Sequence, residues 1–105
     1  AYWTRARSVA REGAYYQALV WLSRATDLEE SCFYLVTRAK LYLLLGHKTA
    51  ALKVLEDAAR DRCQKDAERL VKRAEGFGGQ NPVQYFCSDD KTCSEFLGLF
   101  SSYSF

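Results

Sequence analysis

A chain of 105 residues with 49% hydrophobic and 27% charged side chains has the size and composition of one folded domain, and a disordered chain is excluded. Its net charge of +2 is too small to argue for electrostatic capture of nucleic acid. The longest apolar run, Leu41 to Leu45, is five residues, far short of the roughly 18 that span a bilayer. No signal-peptide pattern opens the chain, and it starts at Ala1 without Met, as expected of a piece of a longer protein.

Pro82 is the only proline, so no proline breaks residues 1–79, and apolar side chains there recur with the helical period. The spacing predicts a first helix from Tyr2 to Arg11, closed by Gly13, and a second from Tyr15 to Ala25. A third runs from Cys32 to Leu45 and stops at Gly46. A fourth runs from Thr49 to Arg62, with Lys and Arg in its last turns, where they suit the negative end of the helix dipole. A fifth covers Asp66 to Phe77 and ends at Gly78 and Gly79, a C-cap signal.

Sliding the chain on itself until Gly13 falls on Gly46 also superposes Thr4, Arg5 and Ala6 on Thr37, Arg38 and Ala39. Ala18, Leu19, Leu22 and Ala25 fall on Ala51, Leu52, Leu55 and Ala58. These are eight identities in 28 aligned pairs, where composition alone gives about two. Ala18, Leu22 and Ala25 are spaced by four and three and share one helix face. A period of about 33–34 residues with this content means helix–turn–helix repeats. On these residues the chain resembles the tetratricopeptide repeat family over residues 1–79. The early aromatic of the pattern is Tyr2, replaced by Leu35 in the second copy. The proline that often closes a repeat is absent, and Glu30 and Cys63 stand near those places.

The expected fold class is therefore all-α: tandem antiparallel helix–turn–helix repeats, an α-solenoid fragment of about five helices with an aromatic C-terminal tail. Repeats fall at about 1–31 and 32–64, with a further helix at 66–77. Arg73-Ala74, which follows Arg38-Ala39 at a slightly longer interval, reads as an incomplete third unit or a cap. A generic stack of helical hairpins is the alternative architecture.

Residues 80–105 form the tail. From Asn81 onward the chain carries six aromatic side chains, and its net charge is −2 against +4 for residues 1–80. Ser88 is expected to cap a short helix, with Asp89 and Asp90 in its first turn. Phe96, Leu97 and Phe100 form a tail motif that something has to cover. Two readings stand: a cap on the repeat array, or a binding motif seated in a groove of its own or another chain. The four cysteines read as reduced thiols of an intracellular protein, cytoplasmic or nuclear. Cys87 and Cys93 are the pair to bridge in an oxidising compartment. No zinc spacing is present, and no metal or cofactor is expected.

Nothing in the sequence assembles a catalytic group. His47, the single histidine, follows a turn glycine. Gly76, Gly78 and Gly79 lack the Lys and Ser/Thr of a phosphate loop. The resemblance implies a non-catalytic protein–protein interaction module, a scaffold or adaptor whose first helices line a concave peptide-binding face. Carried onto this chain, the face takes Trp3, Arg7 and Arg11, then Val36, Lys40, Leu43 and Leu44, then Val71 and Glu75. Core packing is the alternative for Val36, Leu43 and Leu44. The matching partner is an acidic and apolar peptide or helix, and the tail has that composition. The family's carboxylate clamp is not implied, because Trp3, Arg7, Thr37, Glu68 and Lys72 stand where its lysine, asparagine and arginine are needed. Two further readings are an assembly module that oligomerises or self-caps through the tail, and a nucleic-acid binder using Arg5, Arg7, Arg11, Lys40 and Trp3.

Overall fold

The computed structural model describes residues 2–61 and 63–99. Among them the chain is all-α, with seven helices and no strand. Helices α1 (Tyr2–Arg11) and α2 (Tyr15–Leu28) form one hairpin, and α3 (Cys32–Leu44) and α4 (Lys48–Asp61) form a second. Helix α5 (Gln64–Glu75) packs on α4 and α3. The chain then turns back, so that α6 (Pro82–Phe86) and α7 (Asp90–Leu97) lie on α3. One hydrophobic core runs through both parts, from Trp3 to Leu99. The radius of gyration of 12.6 Å is close to the ~13 Å expected of a compact chain of this length.

The two hairpins are built alike. In the first turn the amide of Gly13 donates to Ala10 and that of Ala14 to Val9; in the second, Gly46 donates to Leu43 and His47 to Tyr42. These two bonds of the first turn thus recur one period later in the second. Ala6, Ala18, Leu22 and Ala25 are buried, and so are Ala39, Ala51, Leu55 and Ala58. Small side chains at these crossings let the helix backbones approach closely.

The register of α5 against α3 differs from expectation. Buried Ala67, Leu70, Ala74 and Phe77 lie one full period after buried Tyr34, Thr37, Leu41 and Leu44. The longer interval from Arg38-Ala39 to Arg73-Ala74 is therefore not the structural one. Boundaries shift for local reasons. Helix α2 runs past Ala25 because the backbone ladder continues to its end, where the Glu29 amide still reaches the Ala25 carbonyl at 3.0 Å. Helix α5 starts at Gln64, since the Ala67 amide bonds the Cys63 carbonyl at 2.9 Å. It ends before Phe77, whose ring leaves to pack on Tyr85 and Phe86. Arg62, the expected end of the fourth helix, lies outside the described residues.

Helix α6 was not expected. Pro82 sits in its first turn, where its missing amide costs nothing, and the Asn81 side chain accepts from the Gln84 amide at 3.1 Å. Helix α7 is capped by Asp89 rather than Ser88: the Asp89 carboxylate accepts from the Thr92 amide at 2.7 Å. Gly98 ends α7 at φ 70°, a left-handed conformation that disfavours any side chain.

The reading of four reduced thiols is overturned. Cys32 is bonded to Cys63, with Cα atoms 5.4 Å apart, and Cys87 to Cys93, at 4.8 Å. The first bond follows from the repeat itself. Its cysteines are 31 residues apart, close to one period, so stacking brings the starts of α3 and α5 together.

Candidate functional site: a cleft between the third, fifth and seventh helices

The tail lies on α3, and basic side chains from α1, α3 and α5 meet it. Arg11 of α1 donates to the Leu99 carbonyl at 3.1 Å. The Lys40 ammonium of α3 stands 5.4 Å from the centre of the Phe96 ring. Arg73 of α5 donates to the Phe86 carbonyl at 2.8 Å, and its guanidinium lies 4.9 Å from the Phe96 ring. Phe86 and Phe96 stack at 5.5 Å, so the two cations converge on a paired aromatic surface. Opposite, Gly98 fits against Phe33: a Cβ there would stand 3.0 Å from that ring.

Between α3, α5 and α7 a cleft of about 450 Å³ remains open. Phe33, Val36, Leu70 and Phe96 make its apolar surface. Lys40, Arg69 and Arg73 supply three cations, Asp66 and Glu95 two carboxylates. Burial pushes the Lys40 ammonium below its ordinary value; Asp66 opposes that shift and Arg73 adds to it. A partly desolvated cation gains most from an added anion, so the cleft suits an apolar group carrying a carboxylate.

The residues expected on a binding face divide among several places. Val36, Lys40 and Phe96 line this cleft. Val71 and Glu75 line a different groove, between α4 and α5. Arg11 holds the tail, and Arg7 is half-buried on α1. Trp3, Leu43 and Leu44 are core residues at 4%, 0% and 4% exposure and are closed to a partner. Trp3 packs edge-on against Phe33 at 5.0 Å and lies 6.1 Å from the Tyr34 ring, so α3 covers the side of α1 that an open array would expose. Leu97 is buried in its own chain, and Phe100 lies outside the described residues.

Sequence reading missed Arg69, Arg73, Asp66 and Leu70 as lining residues. A signal was present: the period that takes Gly13 to Gly46 also takes Arg7 to Lys40 and on to Arg73, and Trp3 to Val36 and on to Arg69. One further step of it would have reached both arginines.

His47 is exposed at the turn, beside the Tyr42 ring. Among the described residues no three His, Cys, Asp or Glu side chains come together as metal ligands. There, too, no helix is long and apolar enough to cross a membrane. Comparison with protein-family models, curated proteins and solved structures returned no match.

Proposed function

We propose that the chain is a non-catalytic protein-interaction module, organised like a tetratricopeptide repeat array, that holds an apolar and acidic segment of a protein partner in the cleft between α3, α5 and α7. The observation that supports this is the way Arg11, Lys40 and Arg73 meet the tail. The face formed by the first helices already grips an aromatic segment of net negative charge. Arg69 is exposed on the cleft wall, where a ligand can reach it. The tail thus acts as a wall of the site and as an internal ligand.

Burial of Phe86, Phe96 and Leu97 favours a second reading, in which the tail is only a cap. Nucleic-acid stacking on Trp3 has no support, since that ring is buried. The two disulfides favour an oxidising compartment over the cytosol or nucleus.

The test is fluorescence anisotropy on the full oxidised chain. The probe is a labelled peptide in which Phe and Leu alternate with Asp and Glu. Binding is expected to weaken with salt and to fall by about tenfold or more in Arg69→Glu, a loss of the size that charge reversal at an interface produces. Equal affinity of Arg69→Glu and the unaltered chain would rule out the cleft and leave the cap.

A further inference from the structure

A second pair of surfaces lies away from this cleft. Among the described residues the exposed large hydrophobics all belong to one helix, α2: Tyr16 at 68%, Val20 at 39% and Leu28 at 77%. They follow one another at multiples of four positions and form a stripe on the side of α2 turned away from α1 and α3. Arg24 sits midway along it, with Asp27 near its end. An apolar stripe of this kind on a surface marks a contact site.

The same molecule carries a groove of about 390 Å³ whose lining comes entirely from α4 and α5. Leu52, Ala59 and Val71 are half-buried along it, over buried Leu55 and Ala67. Its rim has Glu56, Glu68 and Glu75 against Lys72. In the repeat pattern α3 is followed by α4, its hairpin partner. After α5 the chain instead leaves through Gly76–Gly79 towards α3. No described helix fills the place of a partner for α5.

We infer that the α2 stripe of one copy docks into the α4–α5 groove of a second copy. The groove lining runs from Ala67 to Glu75 on α5, about 12 Å at ~1.5 Å per residue, the length of the stripe from Val20 to Leu28. Charge pairs these two stretches: Glu56 is already paired with Arg60 at 2.7 Å, so Arg24, at the middle of the stripe, meets Glu68 and Glu75, and Asp27 answers Lys72. The two surfaces are different patches of one molecule, so the contact is head-to-tail and leaves a free stripe and a free groove at the ends of every assembly that does not close into a ring. One helix in one groove is a small interface, so association depends on concentration.

Sedimentation velocity of the full oxidised chain tests this. Mass is expected to rise between about 10 µM and 1 mM, the range in which a small interface associates. Val20→Asp, which spoils the stripe, and Val71→Asp, which spoils the groove, each stay monomeric. Their equimolar mixture forms a dimer and stops there, because each variant supplies the surface the other lacks. Exposed positions provide a second set that leaves the fold untouched: Arg24→Glu weakens association, and adding Glu68→Arg restores it. A monomeric unaltered chain over the whole range overturns the inference. So does association that survives both valine variants. If the unaltered chain stays monomeric but its groove binds a synthetic Leu/Lys amphipathic helix, the site belongs to a foreign helix and the inference also falls.

Discussion

Removing the Cys32–Cys63 bond is expected to destabilise the protein more than removing Cys87–Cys93, although the second pair is the more buried. The bonds span 31 and 6 residues. If a cross-link acts by restricting the unfolded chain, its effect grows with the logarithm of the loop. These lengths give about 4 kcal/mol for the first bond and about 2 kcal/mol for the second at 25 °C. Packing argues for the opposite order. Cys87 and Cys93 are 1% and 7% exposed, whereas Cys32 is only half-buried beside Cys63 at 3%. Changing each pair to alanine removes the same atoms, so the comparison sets loop entropy against packing. Guanidinium unfolding under non-reducing conditions reads the difference, with unchanged m values showing that both variants unfold from comparable states. The expected gap of about 1.5 kcal/mol corresponds to roughly 6–12 °C in Tm for a chain of this size. If Cys87→Ala/Cys93→Ala is equally or more destabilising, packing outweighs loop closure and the reasoning fails.

Three further outcomes follow from single residues. Gly98→Ala places a Cβ at φ 70° and 3.0 Å from Phe33, so thermal melts should show a loss of at least about 1 kcal/mol from the left-handed strain alone. Lys40 has a pKa below its ordinary 10.5, so the fold disfavours its charged form, and stability climbs as pH rises through the folded value towards 10.5. Lys40→Met should remove that rise, increase Tm at neutral pH and weaken binding of the acidic peptide. A Tm that falls instead would show that Asp66 outweighs burial. Asp89 is held below its ordinary 3.8, chiefly by the Thr92 amide, so its contribution is present above 3.8 and is lost as pH falls through the folded value. The stability difference between the unaltered chain and Asp89→Ala, followed by acid titration of the melt, should therefore shrink below pH 3.8.

The helical hairpins are legible because they rest on local signals. Gly13 and Gly46 mark the turns, and Ala18, Leu22 and Ala25 with their copies at Ala51, Leu55 and Ala58 mark the crossing faces. Cys87–Cys93 was legible as the pair that bridges in an oxidising compartment, whereas Cys32–Cys63 was not, since a spacing near one period joins two helix starts only where their helices stack. That answer needed the stacking of α3 on α5. The tail was half legible. Its aromatic content announced burial, but α6 rests on a proline at a helix start, where a proline looks like a breaker. The cleft was least legible. Lys40 and Val36 were found, while Trp3 and Leu43 fit the same pattern and are buried, because periodicity shows which side chains share a face and not what lies over that face.

What lies over it determines how the cleft works. Each covalent bond fixes one relation between its walls. Cys32–Cys63 ties the start of α3 to the start of α5, and Cys32 itself lines the cleft. Cys87–Cys93 ties α6 to α7 and so holds Phe86 stacked on Phe96 beneath Lys40 and Arg73. A partly desolvated ammonium beside a guanidinium tends to push such walls apart, because each cation disfavours the other. Aromatic faces and carbonyls offset that repulsion only while they stay in place, and the disulfides keep them there. On the proposed function, the tension has a use: a carboxylate entering the cleft relieves it, and the walls need not move to receive the ligand. Affinity then comes from preorganisation as well as contact area. Reduction of either bond should weaken peptide binding under conditions that leave the helices folded.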